Sequence, residues 1–103
     1  MIKRITGNLP ENKPFMLLRG PSKDFLKVFG ISTDYFYVCP DCGRPIVHNE
    51  DAIYIALEDK VVCLRCAERW IQYTRYYEEE VKKEKDNLEA MIQKLKDSKL
   101  WEE

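Results

Sequence analysis

The hydrophobic positions change period along the chain. Short apolar runs come first, and a long stretch with helical spacing follows. Ile2–Thr6 and Phe15–Leu18 read as strands separated by the turn-forming stretch GNLPENKP. Gly20-Pro21 closes the second run, and Ser22 stands where a helix N-cap belongs. Phe25, Leu26, Val28 and Phe29 then offer one apolar face of a two-turn helix, which Gly30 stops. Thr33–Val38 is aromatic and β-branched and predicts a strand. Ala52–Leu57 and Val61-Val62 predict a hairpin, with Glu58-Asp59-Lys60 as its turn.

From residue 67 onward there is neither proline nor glycine, and Glu, Lys, Leu, Ala and Arg dominate, all good helix formers. Ala67, Trp70, Thr74, Tyr77, Val81, Glu84, Leu88, Met91 and Leu95 recur at alternating steps of three and four, and all but Glu84 suit a packed seam. A helix over residues 64–98 would run about 50 Å at 1.5 Å per residue, longer than so small a core can cover. The spacing therefore predicts a coiled-coil-like helix whose seam (Trp70, Tyr77, Val81, Leu88, Met91 and Leu95) meets a second copy of the chain. The competing expectation packs the first half on the domain and lets the rest fray or fold back as a hairpin around Asp86-Asn87.

The chemistry sits between these two regions. All 4 cysteines fall in two CxxC pairs, Cys39-Pro-Asp-Cys42 and Cys63-Leu-Arg-Cys66. Two intervening residues let a tight turn aim both sulfurs at one point. Pro40 stiffens the first turn, and Gly43 supplies the positive φ that closes it. Two such pairs predict one structural zinc ion per chain, held by Cys39, Cys42, Cys63 and Cys66. A knuckle, a hairpin and a helix carrying the second pair make up the treble-clef order. A zinc ribbon would instead need a strand after Cys66. The expected fold class is α+β. Residues 1–38 would pack on a finger at 39–70, and a long helix would fill 71–103.

The stretch CPDCGRPI…VVCLRCAERW resembles the treble-clef finger of DksA/TraR-type transcription factors and, more loosely, half of a LIM domain. That resemblance covers about a third of the chain and implies that the same four cysteines are metal ligands. In the DksA group the coiled coil precedes the finger, whereas here the long helix follows it.

Charge and composition narrow the function. Net charge is −1, so the whole molecule has no pull toward nucleic acid or anionic lipid. Residues 1–30 nevertheless hold six basic side chains (Lys3, Arg4, Lys13, Arg19, Lys23 and Lys27) against two acidic ones. They are the candidate phosphate contacts if the protein binds nucleic acid directly. No apolar run reaches the ~20 residues of a membrane span, and the N-terminus lacks a signal core, so a cytoplasmic protein is expected. No nucleophile–base pair, phosphate loop or open metal position stands out. The composite expectation is a non-enzymatic, zinc-stabilised interaction module. Its partners would be itself and another protein, in association with transcription or another nucleic-acid machine. The alternatives are direct nucleic-acid binding, a nuclease of the His-Asn-His type built on His48, and a thiol redox protein.

Overall fold

The computed structural model describes residues 1–8, 14–30, 36–73 and 81–102. Nine elements are arranged along them. Strands β1 (Lys3–Asn8) and β2 (Pro14–Pro21) precede helix α1 (Ser22–Phe29). The short strands β3 (Phe36–Val38) and β4 (Pro45–Val47) follow, then β5 (Asp51–Ile55) and β6 (Lys60–Cys63). Helices α2 (Leu64–Tyr73) and α3 (Val81–Asp97) complete the chain. The protein is a small α+β unit with two antiparallel sheets, a four-stranded one in the order β1-β2-β5-β6 and a separate β3-β4 pair.

The N-terminal strands belong to the same sheet as the hairpin that carries Cys63. Leu17 pairs with Ile55 and Arg19 with Ile53. Because successive strand residues face opposite ways, this sheet buries two cores. On one face Leu17, Ile53, Ile55 and Val62 meet Ile46, the cysteines and Ala67 of α2. On the other, Leu18, Ala52, Tyr54 and Val61 meet Phe25 of α1 and Leu88, Met91 and Leu95 of α3. β5 is thus buried on both sides. The stacked Phe25 and Tyr54 rings, with centroids 6.4 Å apart, anchor α1 to it.

Placing α2 and α3 on opposite faces corrects the expected seam. Leu88, Met91 and Leu95 are 7%, 3% and 0% exposed within one chain, so they are spent on its own core rather than on a second copy. Trp70 packs on the other core. Val81 stays exposed, and Tyr77 lies outside the described residues. The expected continuity of one long helix falls on residues 74–80, also outside them. No turn forms at Asp86-Asn87, because α3 runs unbroken through both.

The cap expected of Ser22 is also replaced. Pro21 occupies the N-cap position and offers no side-chain hydrogen bond. The first helical N–H groups go instead to main-chain carbonyls of the β4–β5 turn: Ser22 N–H donates to Glu50 at 2.9 Å and Lys23 N–H to His48 at 3.2 Å. Ser22 Oγ donates to the Val47 carbonyl. Gly30 ends the helix as expected, left-handed at φ 71°.

The chain's two ends are joined. Ile2 N–H donates to the Leu100 carbonyl at 2.7 Å, and Glu102 N–H returns to the Ile2 carbonyl at 2.8 Å. Gly20 permits the fit, since a Cβ there would sit 2.8 Å from the Met1 carbonyl oxygen. α3 also finishes the sheet where its ladder stops. β2 begins pairing with β5 at Leu17, and one residue earlier Met16 N–H donates to Glu84 Oε1 at 3.1 Å. One residue beyond β5, the Ala56 carbonyl accepts from Asn87 Nδ2 at 2.8 Å.

Glu84, the one misfit in the seam pattern, is therefore buried for a polar reason. Its Oε2 has no partner among the described residues, and burial raises its carboxyl above the ordinary value despite the Met16 N–H. A raised folded-state value makes the charged form a destabilising burden. That burden is full above the raised value and fades as pH falls to the unfolded value of 4.5. Glu84→Gln should therefore be the more stable protein at pH 7, by on the order of 1 kcal/mol, the usual scale of a single buried change. Its advantage over the parent should shrink as the pH falls toward 4.5, which urea titrations of both proteins at several pH values would show.

Candidate metal centre

The first cysteine pair sits at the tip of the β3–β4 hairpin. Tyr37 pairs with Ile46 and Val38 with Pro45, so the chain must reverse between Cys39 and Arg44. Cys39 N–H donates to the Arg44 carbonyl and Gly43 N–H to the Cys39 carbonyl, both at 2.9 Å. Gly43 has φ 74°, the positive value expected of it. The second pair straddles a strand–helix junction. Cys63 is the last residue of β6, and Cys66 lies in the first turn of α2.

These two turns bring all four sulfurs within 4.8 Å of one another. Cys39 Sγ lies 3.7 Å from Cys66 Sγ, and Cys42 Sγ lies 3.8 Å from Cys63 Sγ. All four are free thiols. Cys39, Cys63 and Cys66 are buried and Cys42 is exposed. Among the described residues this is the group of Cys, His, Asp or Glu side chains placed to hold a metal ion.

The electrostatics also favour a cation. Burial works against a thiolate at Cys39, but backbone N–H groups of Cys63, Cys42 and Asp41 outweigh it and bring the thiol down to about 7. Cys66 moves the other way: burial raises it, and the neighbouring sulfurs raise it further. Four crowded thiols cannot all ionise unaided. A divalent cation at their centre removes that conflict and lets each act as a ligand.

The hairpin tip is tied down by more than sulfur. Asp41, inside the first CxxC turn, accepts from Lys60 Nζ at 2.6 Å and from Trp70 Nε1 at 2.9 Å. Lys60 also lies over the Trp70 ring, 4.7 Å from its centroid. Burial alone would raise the Asp41 carboxyl, but these two donors hold it below its ordinary value. Tyr37 Oη donates to the Val61 carbonyl at 3.2 Å. Arg44 is held by Glu50, and its positive charge also reaches Cys63. The sequence reading missed Asp41, Lys60 and Arg44. Asp41's position inside the CxxC turn was the available signal, but spacing gave no hint of its partners. Trp70, assigned to a dimer seam from its spacing, serves this clamp instead.

Among the described residues, the basic side chains of the first thirty are divided between the two faces of the sheet. Lys3 and Arg19 face each other across β1 and β2, on the face shared with Leu17, and Arg19 is paired with Asp51 at 3.0 Å. Arg4 is opposite Leu18, on the other face. Lys23 and Lys27 are exposed on α1, which packs on that second face. Lys13 lies outside the described residues. His48 lies in the β4–β5 turn and is not one of the residues gathered at the sulfurs. Among the described residues, no helix is long and apolar enough to cross a membrane.

Removing the clamp should weaken the centre without deleting a ligand. Asp41→Ala is expected to lose about 1–2 kcal/mol from the two hydrogen bonds to a charged acceptor. Chemical denaturation followed by tryptophan fluorescence would record the loss. Compared with family models, with curated proteins and with solved structures, the chain matched none.

Proposed function

We propose that the protein is a non-enzymatic interaction module whose fold is completed by one structural zinc ion, arranged as a treble clef. The sulfur geometry supports the zinc reading most directly. Four ligands at a Zn–S distance of about 2.3 Å stand at the corners of a tetrahedron with edges of about 3.8 Å. Two of the sulfur pairs lie at 3.7 and 3.8 Å, and all four sulfurs lie within 4.8 Å of one another. Four thiolates fill the coordination shell and leave no position for a water or substrate, which favours a structural over a catalytic role. The treble-clef reading draws on the order of parts: a knuckle on β3–β4, the β5–β6 hairpin, then α2 carrying the second pair.

The interaction reading draws on the surface that the metal would hold in place. Ile46 points inward from β4, whereas Val38 and Val47 are 49% and 56% exposed on the small sheet, with Pro45 also exposed. An apolar face on a hairpin held by a metal and a salt bridge suits a protein partner. The transcription-associated setting rests on the resemblance of the cysteine motif alone.

Metal analysis of protein purified without chelator should find one zinc per chain, and Cys63→Ser should lose it. Chelation should expose the amides of residues 37–47 and 63–67 to hydrogen exchange, while Leu88, Met91 and Leu95, in the core on the far side of the sheet, keep their protection. Protein without zinc, or uniform loss of protection, would defeat the zinc reading. The surface has its own test. The double change Val38→Lys and Val47→Lys should leave metal content unchanged and stability within about 0.5 kcal/mol. It should abolish cross-linking to whatever protein the parent captures, and unchanged capture would exclude this face.

A further inference from the structure

The four sulfurs are equivalent as ligands but not as targets. Cys42 is exposed, and the other three are buried. Its neighbour at 3.8 Å is Cys63, which belongs to the other CxxC pair. Cys39, its partner within the first pair, accepts from the Cys63 N–H at 3.4 Å and lies 3.7 Å from buried Cys66. A buried sulfur that already accepts an N–H donor is held in place and is a poorer nucleophile. Cys63 has a cation beside it instead, Arg44, oriented by Glu50.

We infer that Cys42 and Cys63 form a peroxide-sensitive pair, and that oxidation joins them across the two CxxC motifs and releases the metal. This rests on the zinc reading above and adds the regulation of that site. In the first step the Cys42 sulfur attacks one oxygen of hydrogen peroxide. The O–O bond breaks, leaving a sulfenic acid on Cys42 and a hydroxide ion. In the second step the Cys63 sulfur attacks the Cys42 sulfur. An S–S bond forms, the S–O bond breaks, and a second hydroxide leaves. Two thiolates lose two electrons, and one peroxide takes them up with two protons from solvent to give two waters.

The geometry suits the closure. A disulfide needs its sulfurs at about 2.05 Å, so the pair must approach by roughly 1.8 Å, shared between two side chains. Asp41 holds the knuckle against Lys60 and Trp70 throughout, and Tyr37 holds it against Val61. The two sulfurs therefore stay apposed once the metal has only two ligands left. The new bond links the same two hairpins that the metal linked, so the oxidised protein keeps its architecture and returns to the metal-bound form on reduction.

The decisive experiment treats the zinc-loaded wild-type protein with one equivalent of hydrogen peroxide, follows zinc release with a colorimetric chelator, and maps disulfides after trypsin digestion. Arg44 precedes Pro45 and resists cleavage, so Cys39 and Cys42 fall in residues 28–60, Cys63 in 61–65 and Cys66 in 66–69. The expected product joins 28–60 to 61–65 through Cys42, assigned by fragmentation. It should appear in step with zinc release and be reversed by dithiothreitol and added zinc. A link within 28–60, a link between 61–65 and 66–69, or thiols untouched by peroxide would overturn the inference. Cys42→His keeps a metal ligand and removes the exposed thiol. It should release zinc about tenfold more slowly or less, in keeping with attack at an accessible thiolate, and release at the parent's rate would also overturn the inference. Zinc content measured before oxidation separates failure of the metal reading from failure of this one, because the disulfide map reports on the pair either way.

Discussion

The convergence of four sulfurs is the constraint on which the rest depends. The β3–β4 pair shares no strand with the four-stranded sheet. Nothing in the backbone ladder fixes the angle between them. That angle is set by Cys39 and Cys42 meeting Cys63 and Cys66, and is reinforced where Asp41 reaches Lys60 and Trp70. Burial follows from it, because Ile46 can pack with Ile53 and Val62 only while the knuckle is closed over them. For a chain of 103 residues, whose core is divided between two faces of one sheet, such a staple is physically reasonable.

The two faces carry different kinds of work. On the cysteine face, polar and charged groups hold the geometry. On the far face, α1, α3 and the joined chain ends form an apolar layer around Tyr54. Tyr54 itself is raised well above the ordinary phenol range by burial and by the Asp59 carboxylate that accepts a hydrogen bond from its hydroxyl. α3 also supplies the sheet with Glu84 and Asn87, which serve groups the strands leave unpaired. The two faces of the sheet therefore bury separate sets of residues, one around the cysteines and one around Tyr54.

The local features of the centre were legible in the sequence because they obey local rules. Two residues between cysteines, a glycine after the second and a helix-forming run after Cys66 are short-range signals, and each produced the structure it implies. The hairpin of β5 and β6 and the glycine stop of α1 belong to the same class. The four cysteines that converge came directly from the motif. Their convergence needed only the hairpin between the pairs to turn back on itself.

What tertiary structure decided involves partners far apart in the chain. The three-four spacing of Leu88, Met91 and Leu95 showed that α3 has an apolar face, but periodicity does not say what covers that face. A sheet in the same chain covers it, and that sheet is built partly from β1 and the first residues of β2, about seventy or more positions away. Glu84 looked like a defect until Met16, 68 residues distant, appeared opposite it. Ser22 looked like a cap until the β4–β5 turn supplied carbonyls to the helix start. Asp41's partners were invisible for the same reason. A hydrogen bond or apolar contact between distant residues depends on where the whole chain places them, and composition and spacing record only which groups are available to make it.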